Sequence, residues 1–88
     1  MISKTLTIMN ELGLHARAAA QFVKTANRFH SNIIVKKESV SVNGKSIMGV
    51  LMLAAAKGAD ITIEADGVDE TEAIEELGFL IHGKFGEE

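Results

Sequence analysis

The sequence predicts an α+β domain in which helices cover one face of a single β-sheet. Residues 2–9 and 60–65 alternate apolar with polar side chains, as half-buried strands do, and two shorter apolar segments between them are also predicted as strands. Two further segments carry apolar residues every three or four positions, as in amphipathic helices, and a third is predicted as a short, mostly apolar helix. The predicted order is strand, helix, strand, strand, helix, strand, helix. With 88 residues, 47% of them hydrophobic, the chain can build one small core, so we expect a single domain over residues 1–88.

The first predicted strand covers residues 2–9, where one face carries Ile2, Leu6 and Ile8. A loop then turns at Gly13 and leads into a helix that we expect to run from residue 16 to about residue 29. The buried face of this helix is predicted to consist of Ala19, Phe22, Val23 and Ala26.

Two short strands, 33–36 and 40–42, form a predicted hairpin joined through residues 37–39. After the Asn43-Gly44 turn, Ser46 can cap a second helix over residues 47–55, which we expect Gly58 to end.

The last strand and helix follow from residue 60 onwards. A strand over residues 60–65 leads to a turn at Asp66-Gly67. Asp69 and Glu72 are three residues apart and resemble a capping box at the start of the last helix. The buried face of this helix is predicted to carry Ile74, Leu77 and Ile81, and the sequence predicts a frayed end at Gly83 and Gly86.

Composition excludes several classes of function. The net charge of −3 argues against broad nucleic-acid binding, which needs a basic surface. No apolar run reaches the roughly 18–20 residues that span a bilayer, and the first residues lack the apolar stretch of a secretory signal. With no cysteine there is no disulfide framework, and a cytoplasmic location is the simplest inference. Because His30 and His82 have no partners at ligand spacing, we expect neither a metal site nor a cofactor.

The segment Gly13-Leu14-His15-Ala16-Arg17 carries the candidate chemistry. His15 stands where the first helix begins, at a position that normally carries Ser, Thr, Asp or Asn. Helix starts present free backbone N–H groups and a partial positive charge to anions. A neutral imidazole is a competent nucleophile, and the N–H groups of Ala16 and Arg17, with the Arg17 side chain, could hold a phosphoryl group on it. The alternative is an ordinary surface histidine at a helix boundary.

The surroundings of His15 in the sequence favour a carrier over an enzyme. Glu11 is the only acid nearby, and no second residue has the character of a hydrolytic base or metal ligand. We therefore expect a protein that receives and passes on a phosphoryl group while its partners supply the remaining catalytic groups. A hydrolase of the acylphosphatase kind would need a phosphate-cradling loop with an Arg and a water-orienting Asn, and apart from the His15 turn the sequence contains no such loop.

Ser46 and the helix after it form a second candidate region. Ser46 is either a plain helix cap or a regulatory phosphorylation site, since a phosphate at a helix start is tolerated and changes the surface charge. The helix is apolar on nearly all sides, so we expect Val50 and Leu53 to face inward. An exposed contact patch is predicted at Ile47, Met48 and Leu51. The alternative is that further layers of core cover these side chains.

These residues resemble the HPr family, the histidine-containing phosphocarriers of the bacterial phosphoenolpyruvate-dependent phosphotransferase system. The resemblance covers the whole chain and is strongest over residues 13–17, 19–23, 43–50 and 56–63. It implies an open-faced β-sandwich, with a four-stranded antiparallel sheet in the order 1-4-2-3 and three helices on one side.

The resemblance also implies roles for individual residues. His15 would accept a phosphoryl group on Nδ1 from phospho-enzyme I and pass it to enzyme II A domains in sugar uptake, with Arg17 stabilising that group. Ser46 is similar to the serine that an HPr kinase/phosphorylase modifies, and a transcriptional regulator is a further implied partner. Partner docking is expected at Ala20, Lys24, Ile47, Met48 and Leu51. A monomer is the expected state. A carrier of the nitrogen type, whose output is signalling, is the alternative.

One residue departs from the family pattern. The family usually has proline after the arginine, where this chain has Ala18. Proline suits a first helical turn, and its replacement relaxes the unfolded chain at a cost between a few tenths and about 1 kcal/mol. Alanine has the highest helix propensity, so we expect the turn to form and phosphoryl acceptance to survive.

Overall fold

Four antiparallel strands form one sheet in the order β1-β4-β2-β3. The computed structural model describes residues 1–87. Its strands are β1 (Ile2–Thr7), β2 (Asn32–Lys37), β3 (Val40–Asn43) and β4 (Asp60–Asp66). Its helices are α1 (Ala16–Ala26), α2 (Ile47–Met52) and α3 (Glu70–His82), followed by a 3-10 turn at Lys84–Gly86. The predicted fold class and strand order are confirmed, although several predicted elements end at other residues.

The core lies between one face of the sheet and the helices. Alternate side chains of β4, beginning with Ile61 and Ile63, are buried, whereas Thr62 between them lies on the opposite face. From the helices, Phe22 of α1 and Leu77 of α3 are completely buried against this face. Burying a side chain of this size contributes about 1.5–3 kcal/mol. The apolar alternation in the sequence therefore selects which face of the sheet the helices cover.

The first helix ends earlier than predicted, at Ala26 and not near residue 29. Asn27 is its C-cap: the backbone N–H of Asn27 makes the last α-helical bond, to the carbonyl of Val23 at 2.9 Å, and its side-chain amide donates to the same carbonyl at 2.9 Å. The next N–H groups, of Arg28 and Phe29, bond to carbonyls three residues back, which is a tightened turn and not α-helix.

The second helix is also shorter than predicted, and the residue expected to end it does not do so. It ends at Met52, and Ala54 then takes a left-handed conformation with φ of 49°. The N–H groups of Leu53 and Ala54 bond three residues back, to Val50 and Leu51, which tightens the last turn. Gly58 lies beyond this turn, so it cannot be the stop signal.

The start of α3 differs from the predicted capping box. Asp69 makes no side-chain cap hydrogen bond; its carboxylate accepts from His30 and Ser31 instead. Glu70 instead stabilises the turn before the helix, since its Oε1 accepts from the N–H of Gly67 at 3.1 Å.

The segment after α3 is ordered by a buried side chain, so the predicted frayed end at Gly83 and Gly86 is wrong. Phe85 lies in the 3-10 turn and is only 3% exposed. The free energy gained by burying an aromatic ring offsets the conformational entropy lost when a short segment is ordered. As a result the chain continues past α3 to Glu87, which lies beside His15. Within residues 1–87, no helix is both long and apolar enough to span a membrane.

Candidate functional site

His15 lies at the N-cap of α1, directly after a tight turn. Its backbone is extended, with φ of −77° and ψ of 179°. Gly13 has φ of +65°, and a Cβ atom added there would lie 2.5 Å from the carbonyl oxygen of Ala55. The N–H of Leu14 donates to that same oxygen at 2.8 Å. Only glycine fits this close approach. The loop therefore packs directly against the segment after α2, and this contact fixes where His15 begins the helix.

The two ring nitrogens of His15 have different partners. Nδ1 lies 3.3 Å from the backbone nitrogen of Arg17, whose N–H can only donate, so Nδ1 is the acceptor. Nε2 lies 2.6 Å from Oε2 of Glu87, a carboxylate oxygen that accepts. A neutral imidazole has one donor and one acceptor nitrogen. The hydrogen-bond geometry therefore assigns the proton to Nε2 and leaves a lone pair on Nδ1, directed at the start of α1.

Glu87 is held by a second residue that sequence reasoning also missed. Asn10 is completely buried, and its side-chain amide donates to the Gly13 carbonyl at 2.8 Å and to Oε1 of Glu87 at 3.1 Å. The hydrogen bond with His15, followed by that from Asn10, holds the pKa of Glu87 below its ordinary value, and the charge of Arg17 acts in the same direction. No local signal could have paired Glu87 with His15, because 72 residues separate them.

The first turn of α1 presents backbone donors beside His15. The first N–H bonded within the helix is that of Ala19, which donates to the His15 carbonyl at 2.8 Å. The N–H groups of Ala16, Arg17 and Ala18 precede it and have no intrahelical acceptor, and that of Arg17 meets the ring. The turn forms with Ala18 at the usual proline position, and Ala18 is completely buried. The start of α1 therefore presents backbone N–H groups on the side of the ring where Nδ1 lies.

Ser46 is the N-cap of α2, as predicted. Its Oγ accepts from the N–H of Gly49 at 3.0 Å, and its carbonyl accepts from Val50. Lys45, the residue before it, donates from Nζ to the carbonyl of Phe29 at 2.7 Å, which ties this turn to the end of α1.

The exposed apolar surface of α2 differs in part from the prediction. Val50 and Leu53 are buried and Ile47 and Met48 are exposed, as expected. Leu51, predicted to face outward, instead lies half-buried against the core. Its expected place is taken by Met52, which is 72% exposed and which the periodicity did not single out. In this 6-residue helix the inward side thus carries Val50 and Leu51, and the outward side carries Ile47, Met48 and Met52.

The remaining predicted docking residues lie on α1. Ala20 and Lys24 are both exposed, and α2 packs beside α1. Within residues 1–87, no cluster of three or more His, Cys, Asp or Glu side chains is placed to hold a metal ion.

Comparison with known proteins agrees with this geometry. The sequence profile of the family described as "PTS HPr component phosphorylation site" matches residues 2–82. The phosphocarrier protein HPr of Neisseria meningitidis serogroup A is 54% identical over 87 residues, which cover 99% of this chain and 98% of that protein. The crystal structure of HPr-C-His from Thermoanaerobacter tengcongensis superimposes with a TM-score of 0.97 at 50% identity, covering 100% of this chain and 99% of the other. An HPr dimer from the same organism gives 0.80 at 49% identity, covering 99% and 100%.

Proposed function

This chain belongs to the HPr family of phosphocarriers of the phosphotransferase system, and we propose that it accepts a phosphoryl group on Nδ1 of His15 from phospho-enzyme I. It then passes that group to enzyme II A domains in sugar uptake. The observation that carries the proposal is the placement of the ring, with Nδ1 against the backbone N–H of Arg17 at the start of α1 and Nε2 against Glu87.

Each of the two transfers, acceptance and donation, forms one bond to phosphorus and breaks one. The Nδ1 lone pair attacks phosphorus, the Nδ1–P bond forms, and the bond between phosphorus and the donor enzyme breaks; the proton stays on Nε2. The phosphoryl oxygens then replace Nδ1 as acceptor for the Arg17 N–H, and the helix start and the Arg17 guanidinium stabilise their charge. In the second transfer the Nδ1–P bond breaks as the acceptor domain attacks. Positioning and charge stabilisation supply most of the catalysis in such transfers.

The acids near the site favour a carrier over a hydrolase. Glu87 lies on the Nε2 side of the ring, away from the attacked atom. Glu11 pairs with Lys57 at 2.5 Å, and this hydrogen bond and the lysine charge lower the pKa of the Glu11 carboxyl. With Glu87 at the opposite nitrogen and Glu11 engaged by Lys57, neither carboxylate is expected to activate a water molecule against a phosphoryl group on Nδ1, and that group is preserved for transfer.

Partner binding is proposed at the surface shared by α1 and α2. Ile47 and Met48 are exposed apolar side chains, and Ala20 and Lys24 lie exposed on the neighbouring helix. Enzyme I and enzyme II A domains would use this surface in turn. Such partners are cytoplasmic, so the same location is proposed for this chain. We expect a monomer in solution, whereas a relative forms a dimer in its crystal structure. Light scattering of the purified protein tests its oligomeric state.

We also propose Ser46 as a regulatory phosphorylation site for an ATP-dependent kinase. Its Oγ already accepts a backbone N–H at the start of α2, and a phosphate would place negative charge beside Ile47 and Met48. The prediction is an acid-stable phosphate after incubation with ATP and an HPr kinase, absent from Ser46→Ala.

The deciding experiment for the main proposal uses phosphoenolpyruvate and enzyme I from a related bacterium, followed by mass spectrometry. We expect one acid-labile phosphate on the wild type and none on His15→Ala. His82→Ala is the matched control, because His82 is also exposed near a helix end and should leave labelling unchanged. Equal labelling of His15→Ala and the wild type would contradict the proposal.

A further inference from the structure

Two segments that are far apart in the sequence meet at the His15 ring. Asn10, in the loop after β1, donates to one carboxylate oxygen of Glu87, and the other oxygen lies 2.6 Å from Nε2 of His15. The side chain of Glu87 is only 18% exposed and that of His15 27%, so solvent screens their contact less than it would a surface pair.

The placement of Glu87 is built into the fold. Phe85, two residues earlier, is buried in the core cluster and anchors the segment. The N–H of Glu87 then donates to the carbonyl of Lys84 at 2.9 Å, which fixes the backbone at Glu87. The buried Asn10 amide restrains the carboxylate from the other side. Three independent restraints therefore direct this side chain at the histidine.

We propose that Glu87 is a positioning residue for phosphoryl transfer, holding His15 with its proton on Nε2 and its lone pair on Nδ1. The proposal rests on the function proposed above and adds to it a residue from the far end of the chain. As the Nδ1–P bond forms, positive charge develops on the ring, and the carboxylate of Glu87 stabilises this charge from the opposite nitrogen. No proton needs to leave the ring in this step, because Glu87 accepts the Nε2–H hydrogen bond before and after transfer.

The groups facing the ring support this assignment. Within residues 1–87, His15 and Arg17 are the basic residues whose charges help to lower the pKa of Glu87. Arg17 itself belongs to the phosphoryl side of the site, where its backbone N–H meets Nδ1. The Nδ1 side of the ring therefore faces a backbone N–H donor at the start of α1, whereas the Nε2 side faces an anionic carboxylate.

The test uses four variants of the full chain. Glu87→Ala removes the acceptor, Glu87→Gln keeps a neutral acceptor, and Glu87→Asp keeps the charge on a shorter side chain. Glu75→Gln, at an exposed glutamate of α3, is the matched control. The first readout is the pair of His15 ring ¹⁵N chemical shifts in alkaline solution, where imidazoles are neutral, together with the Nε2 proton signal. The second is the steady-state rate of phosphoryl acceptance from enzyme I.

We expect wild-type shifts typical of a protonated Nε2 and a bare Nδ1, and shifts in Glu87→Ala that move towards a mixture of tautomers. The kcat of acceptance should fall about tenfold in Glu87→Ala and less in Glu87→Gln, with KM unchanged, and Glu87→Asp should recover part of the loss. Unchanged ring shifts and kcat within about twofold of wild type in Glu87→Ala would overturn the proposal. Loss of labelling from the wild type itself would instead contradict the proposed function, and the ring shifts would still decide whether Glu87 sets the tautomer.

Discussion

The carboxylate of Asp69 accepts two hydrogen bonds from Ser31, one from the hydroxyl at 2.5 Å and one from the backbone N–H at 2.9 Å. A third comes from the N–H of His30 at 2.8 Å. The pKa of Asp69 is lowered from 3.8 to about 2. The hydrogen bond from the Ser31 hydroxyl is the largest cause, and the one from the His30 N–H is the next. Asp69 therefore joins the start of α3 to the turn that precedes β2.

This contact predicts a specific loss of stability in acid. A carboxyl whose pKa is lower in the folded state stabilises the fold above its unfolded pKa, and the contribution disappears as the pH falls from 3.8 to about 2. Asp69→Asn should lower the free energy of unfolding at neutral pH, and the difference from wild type should shrink through this window. Urea unfolding at a series of pH values measures it. Asp66→Asn, at an exposed aspartate nearby, should show a smaller and flatter difference.

The cap of α2 predicts a change in stability that is separate from regulation. Because Oγ of Ser46 accepts from the N–H of Gly49 at 3.0 Å, Ser46→Ala should cost about 1 kcal/mol in the free energy of unfolding. Ser46→Asp keeps a capping oxygen and should recover most of that cost. Urea denaturation compares the three proteins. Equal stability of Ser46→Ala and wild type would mean that the cap contributes nothing to the fold.

Local pattern is sufficient to predict the order of the elements and to single out part of the candidate site. The periodicity of α1 identified Phe22 as core, and the cap preference identified Ser46, because both depend on neighbours within one or two turns. His15 was recognisable because it occupies a position where a better capping residue is usual. Each of these features depends on residues that are close together in the sequence.

The remaining features depend on contacts between distant parts of the chain. Asp69 has the spacing of a capping box, but Ser31, 38 residues away, offers its carboxylate better donors. Phe85 lies between Gly83 and Gly86, which indicate fraying, and only the assembled core shows that its ring has a place to be buried. Glu87 reaches His15 as a consequence of that burial. The helix and capping propensities of single residues cannot predict such distant partners.

Arg17 is predicted to matter for transfer and not for folding. Its side chain is exposed, so Arg17→Gln should change the free energy of unfolding by less than about 0.5 kcal/mol. The rate of phosphoryl acceptance should fall by about 10- to 100-fold, because the developing phosphoryl charge loses a bidentate partner. Arg17→Lys keeps the charge without the fork and should be intermediate. Arg28→Gln, at an exposed arginine of the α1 end, is the control and should transfer normally.

Met48 tests the docking surface. Its side chain is 71% exposed on α2, so Met48→Glu should leave the fold intact while placing a charge in an apolar contact. We expect the KM for enzyme I to rise about tenfold with little change in kcat. Val68→Glu is the matched control, since Val68 is 95% exposed and follows β4, beside the Asp69 contact with Ser31. Similar effects of both substitutions would argue against a docking surface on α2.

Gly13 and Gly58 separate the cost of a left-handed backbone from the cost of a clash. Gly58 has φ of +91° with nothing within 4 Å of an added Cβ, so Gly58→Ala should cost about 1 kcal/mol for the backbone alone. Gly13→Ala adds a Cβ that would meet the Ala55 carbonyl oxygen at 2.5 Å, a backbone atom that cannot rotate away. Its cost should exceed that of Gly58→Ala by about 2 kcal/mol or more, as measured by urea unfolding.

The contact between Gly13 and Ala55 also sets where His15 begins α1. Gly13→Ala should therefore slow phosphoryl acceptance under conditions where it remains folded, whereas Gly58→Ala should not. Equal costs for the two substitutions would show that the loop can move away from Ala55, and that His15 is not held by this approach.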